Sequence, residues 1–185
     1  MTVAEQKVKA LMQYICSRVP REKSGVVKLN KIMWFCETET MYKTGEALTG
    51  HTYIRMRFGP VALDAPTMRN DLIKEGKLEE MPPERMSGGM ERRIFVATRP
   101  PENMDTLFTP EQLDIINEQI ERYTYASGPE VSDMSHDSIW ASLEDADTMP
   151  LHLYKWKPVY TPEQSESLKE AMRKQAETET NCGPF

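Results

Sequence analysis

The chain has 185 residues, 39% of them apolar and 28% charged, with three cysteines and a formal net charge of −6. That supplies core material for one compact domain with an appendage, is short for two full domains, and argues against wholesale disorder. No apolar run approaches a membrane span, Met1–Lys9 leads into an amphipathic pattern instead of an apolar signal core, and Cys16, Cys36 and Cys182 are too scattered for a zinc ribbon or a disulfide framework, so a cytoplasmic protein with reduced thiols is expected.

From Val3 to Val19, apolar residues at Ala4, Val8, Leu11, Met12 and Ile15 form one helical stripe that Pro20 ends. The pattern resumes from Val26 through Thr44 with Leu29, Ile32, Met33 and Cys36, widened by Trp34 and Phe35, which predicts a central helix stopped by a left-handed Gly45. His51–Phe58 alternates, Tyr53, Arg55 and Arg57 against Ile54, Met56 and Phe58, which predicts a strand closed by Gly59-Pro60. Asp64 through Gly76 reads as a short helix. Lys77–Met81 and Arg92–Thr98 read as two antiparallel strands, joined by a loop too long for a tight hairpin.

Thr109-Pro110-Glu111-Gln112 and Thr161-Pro162-Glu163-Gln164 are the same helix-starting tetrapeptide: threonine caps, proline presets the first residue and glutamine reaches back. The helix after Thr109 carries Leu113, Ile116, Ile120 and Tyr123 on one face. The one after Thr161 is weakly amphipathic, and fraying is expected beyond about Ala176. The expectation is therefore a mainly helical α+β fold with a small antiparallel sheet of about three strands, a domain over residues 1–158, and a C-terminal helix and tail over 159–185.

Charge is unevenly laid out. Residues 101–150 hold one basic and twelve acidic residues, whereas Arg18, Arg21, Lys23, Lys28 and Lys31 cluster near the start. The ends of the domain thus offer opposite potentials to a partner. The overall balance lacks the dominant basic surface that phosphate neutralisation needs, so nucleic acid is disfavoured as the main ligand. Lys28 and Lys31, three apart on a helix, read as solvated ammonium groups on apolar stems.

Catalytic signals are weak. His51, His136 and His152 stand at no metal-ligand spacing from one another or from a cysteine, so no metal and no cofactor is expected. Glu37 and Glu39 diverge on their helix and make a poor carboxylate dyad. Ser135-His136-Asp137 contains the residue types of a triad, but sequence neighbours seldom converge on one atom. His136 reads as a structural or partner-contact residue, stacked on Trp140 four positions on if the helix continues that far.

Lys28-Leu29-Asn30-Lys31-Ile32-Met33-Trp34-Phe35, then Leu48-Thr49-Gly50, Tyr53 and Phe58-Gly59-Pro60-Val61, resemble the Panacea domain of SocA-like antitoxins, also known as phage-associated protein. Val131-Ser132-Asp133-Met134-Ser135-His136 with Trp140 resembles that family's second block. Asn30 stands where glutamine is commoner and Trp34 where tyrosine is usual. The resemblance implies a non-enzymatic antitoxin that neutralises a toxin or host factor by direct protein binding, in a bacterial or phage-infected cell, with one branch acting as an adaptor that hands its toxin to a bacterial protease.

On that reading Lys28, Lys31, Tyr53, Arg55, Arg57, Phe58, Gly59 and Pro60 are the candidate partner-binding residues. Arg55 and Arg57 would pair with carboxylates and Tyr53 would serve as aromatic anchor. Two other readings differ in class, a hydrolase or nucleotide-processing enzyme using His136 and an operon-repressing DNA-binding regulator, while an acidic surface that imitates nucleic acid is a variant of the binding reading. The oligomeric state is not legible.

Overall fold

The computed structural model describes residues 1–156 apart from Ser87, Gly88 and Met90. The helix expected after Thr161, the fraying beyond Ala176, Cys182 and the 159–185 segment lie outside the described residues. Met1–Lys155 forms one compact unit.

Helix α1 (Val3–Arg18) opens with a capping box between Thr2 and Glu5 and buries Val8, Leu11, Met12 and Ile15. After a single 3-10 turn at Arg21–Lys23, helix α2 (Val26–Thr44) spans the bounds its apolar pattern predicts, and Gly45 closes it at φ 76. Ile32, Met33, Trp34 and Cys36 are all buried, so α2 is apolar on most of its circumference. It is accordingly the hub, packed against α1 and against the later elements at Val61–Ala62, Pro110–Thr124 and Gly128–Met134.

The remaining elements are β1 (Tyr53–Ile54), β2 (Val61–Ala62), α3 (Ala65–Lys74), β3 (Leu78–Arg85), β4 (Glu91–Ala97), α4 (Met104–Leu107), α5 (Pro110–Thr124), α6 (Gly128–Met134), α7 (Ser138–Ala141) and a 3-10 helix at Leu151–Trp156. The fold is α+β and mainly helical, as expected. Its sheet is different: among the described residues there are two separate antiparallel pairs, β1 with β2 and β3 with β4.

Two sequence expectations need correction here. The strand over His51–Phe58 shrinks to Tyr53–Ile54, because Gly59 N donates to Met56 O at 2.8 Å and bends residues 56–59 into a turn. β3 extends past its expected end at Met81: it runs through Pro82-Pro83 to Arg85, and the register shift between Met81 and Glu84 absorbs the two residues that cannot donate to the ladder.

One further pairing frames the site. The chain at 146–149 runs antiparallel along the other side of β1, with Arg55 N donating to Asp147 O, Ala146 N to Arg55 O and Met149 N to Tyr53 O, each at 2.8 Å. The acidic segment is thereby tied to the residues that lead into the turn. No helix among the described residues is long and apolar enough to cross a membrane.

Candidate functional site

The two sequence blocks meet at the turn over residues 56–60. Three of its backbone carbonyls accept a hydrogen bond from a side chain, and each side chain comes from a different helix. Trp140 Nε1, on α7, donates to Met56 O at 3.2 Å. Ser132 Oγ, on α6, donates to Phe58 O at 2.9 Å. Lys31 Nζ, on α2, donates to Pro60 O at 2.7 Å. A surface turn ordinarily leaves such carbonyls to water, so three pins from residues 29 to 84 positions away give this one a fixed shape.

Gly59 is required at the centre. Its φ of +92 suits glycine, and a Cβ there would overlap Ser135 Oγ outright and come within 2.8 Å of Lys31 Cε. The family-like Phe58-Gly59-Pro60 triplet is thus a packing requirement of the turn against Lys31 and Ser135.

Trp140 is itself held from several sides. The His136 ring stacks on it with centroids 3.8 Å apart and planes 13° off parallel. The Arg55 guanidinium lies 4.1 Å from the Trp140 ring centroid, donates from Nε to Trp140 O at 3.4 Å, and pairs with Asp145. Asp137 caps α7 by accepting from Ile139 N and Trp140 N, at 3.0 and 2.9 Å, and its second oxygen accepts from Tyr154 OH at 2.6 Å. Tyr154 and Tyr53 both pack on Trp34, at 5.1 and 5.2 Å. The helix does break, at Ser135, yet His136 and Trp140 still meet because α7 restarts at once on the Asp137 cap.

Burial sorts the candidates. Lys28, Lys31 and Tyr53 are interior, at 6%, 1% and 2% exposure, which corrects the reading of the two lysines as solvated groups. Lys28 Nζ donates to Thr124 O at 2.7 Å and thereby ties α2 to the end of α5. Both lysines satisfy a loop or helix-end carbonyl, a use that a charged residue on an amphipathic helix does not announce. Arg57 and Phe58 are exposed, Arg55 is half-buried, and Gly59 and Pro60 are buried beneath the turn.

Electrostatics follow from that burial. Loss of water pulls the Lys31 ammonium down to about 7. Glu37, fully buried on α2, is pushed up to about 7 for the same reason, against the hydrogen bonds it accepts from Leu48 N, Thr49 N and Thr49 Oγ1. Glu37 was readable only as half of a poor dyad; its role is to hold the Leu48-Thr49 turn that leads into β1. His136 is lowered by burial and by nearby Lys31, and its Nε2 is buried without a hydrogen-bond partner among the described residues.

Ser135, His136 and Asp137 do not assemble as a triad. Ser135 Oγ donates to Ser132 O at 2.7 Å, both Asp137 oxygens are engaged elsewhere, and the imidazole faces the indole. Among the described residues no group of three histidines, cysteines or carboxylates converges as a metal site would require. Ser132, whose hydroxyl is one of the three pins, is marked in the sequence only by its place in the second family-like block.

The family model described as "Antitoxin SocA-like, Panacea domain" matches residues 29–141, a span that begins in α2, ends in α7 and contains all three pins. No curated protein and no solved structure matches the chain.

Proposed function

Because the chain belongs to the family of SocA-like antitoxins built on the Panacea domain, we propose that it neutralises a toxin by binding it directly, with residues 55–60 at the contact and no bond made or broken by its own side chains. The family gives an antitoxin-type role and a protein partner such as a toxin. The direct mode of neutralisation is supported by one observation above all: the side chains of the two family-like blocks are spent on fixing a turn. Catalytic side chains converge on an open reacting position, whereas Lys31, Ser132 and Trp140 converge on backbone carbonyls.

The same observation weighs against the hydrolase reading, since His136 is stacked and Ser135 and Asp137 are engaged. The domain of residues 1–158 is the binding unit in this proposal, the 159–185 segment an appendage, and the setting a bacterial cytoplasm. Delivery of the bound toxin to a protease adds a step after binding and shares its first contact.

Co-expression tests the proposal. The gene products encoded on either side of this chain's gene are induced in turn in a bacterial host, with and without the chain. Rescue of growth together with a co-purifying complex is the expected result. Absence of rescue and of a complex with both neighbours refutes the proposal, and rescue that disappears in a protease-deficient host identifies delivery as the mode.

A further inference from the structure

The three pins also determine what the turn shows to solvent. Met56 and Phe58, whose carbonyls are pinned, leave their side chains 42% and 51% exposed. Arg57 between them is exposed as well, with its guanidinium 5.4 Å from the Phe58 ring centroid. Among the described residues Arg57 has no ion-pair partner, whereas Arg55 is paired with Asp145. The result is an apolar, cationic, apolar edge of three consecutive residues on a backbone that is already fixed.

Resting on the reading above, we infer that Met56-Arg57-Phe58 is the docking edge, and that its occupant is a protein surface with an apolar depression rimmed by carboxylate. Phe58 and Met56 are large apolar side chains that no element among the described residues covers, the type of exposure that soluble surfaces reserve for interfaces. Aromatic, methionine and arginine side chains are the ones enriched in interface centres. Seating Phe58 in a depression carries the guanidinium above its ring to the rim, where a carboxylate supplies the counter-charge Arg57 lacks. A turn held at three carbonyls gives up little conformational freedom on docking, so more of the contact energy appears as affinity. A phosphate backbone is a poorer match, because the cation is single, its neighbours are apolar, and the chain carries a net charge of −6.

The test uses the full chain and the neighbouring gene product with which it co-purifies, with affinity measured by titration calorimetry at low and high salt. F58S is expected to weaken binding by about 100-fold, as loss of a central aromatic anchor does. R57E is expected to weaken it by at least about 10-fold and to abolish its salt dependence. Y125S removes a side chain that is 77% exposed at the end of α5 and is expected to bind as the parent does. The substituted side chains are exposed, so matching thermal unfolding of all variants confirms that folding is unaffected.

Wild-type affinity in both F58S and R57E overturns the docking edge and leaves direct neutralisation standing. Failure of the unmodified chain to bind either neighbour overturns the neutralisation reading and this inference together. A dimer of the unmodified chain that F58S dissociates, or salt-sensitive DNA binding that R57E removes, identifies a second copy or nucleic acid as the occupant and overturns the inference also.

Discussion

Substituting Gly59 by alanine probes the cradle at its tightest point. The backbone there sits at φ +92, and the new methyl would overlap Ser135 Oγ and crowd Lys31 Cε at 2.8 Å. Holding an L-residue in that region costs about 1–2 kcal/mol. Ser135 is 1% exposed and hydrogen-bonded to Ser132 O, and Lys31 is likewise 1% exposed, so neither can swing aside. The turn must lift instead, at the expense of the Lys31–Pro60 and Ser132–Phe58 bonds, each worth about 1–1.5 kcal/mol net. The expected loss is about 3–5 kcal/mol in urea unfolding followed by tryptophan fluorescence, summed from these contributions. S135A removes the overlapping oxygen, so G59A and S135A combined should cost less than the sum of the two by about 1 kcal/mol or more. A G59A variant within 0.5 kcal/mol of the parent, together with strict additivity, would refute the proposed packing of the turn on Lys31 and Ser135.

Further outcomes follow from burial. Lys31 titrates near 7 in the folded chain, below the ordinary lysine value of 10.5, so its contribution to stability is complete above 10.5 and lost as pH falls toward 7. Unfolding free energies of the parent and K31M should therefore converge or diverge in the parent's favour by about 1.4 kcal/mol per pH unit as pH rises through that window; parallel curves would contradict it. Glu37 shows the opposite sign: its folded value near 7 lies above the ordinary 4.5, so stability present below pH 4.5 is lost as pH rises toward 7. E37Q should remove that slope, of about 1.4 kcal/mol per pH unit, in the same assay. The His136 ring proton should titrate by NMR with a midpoint below 6.5, since burial and Lys31 both oppose its charge; a midpoint above 6.5 would exclude the stacked, half-buried site.

The helices were legible because their signals are local. Thr109-Pro110 and the Gly45 stop act within one turn, and the apolar rows of α1, α2 and α5 follow the helical period. The end of β1 was not legible, since alternation runs on through Arg57 and the Met56–Gly59 turn that breaks it is held in place by tertiary bonds from Ser132 and Trp140 that no window around residue 55 contains. The burial of Lys28 and Lys31 escaped for a related reason: a charge on a helix face reads as solvated until a carbonyl elsewhere claims it. Backbone carbonyls have no residue identity, so a site built around three of them leaves its mark only in the donors. The two family-like blocks contain those donors, but only the fold brings the blocks together, and the exposed edge at Met56, Arg57 and Phe58 follows from geometry.

Amide hydrogen exchange of the chain alone and in complex with its neighbouring gene product tests the proposed mode of action at the residues concerned. Binding through the pinned turn predicts added protection at the amides of Arg57, Phe58 and Gly59, with exchange across the β3–β4 ribbon unchanged. Protection that appears on the ribbon or along the acidic α5 helix, with the turn exchanging as in the free chain, would contradict it.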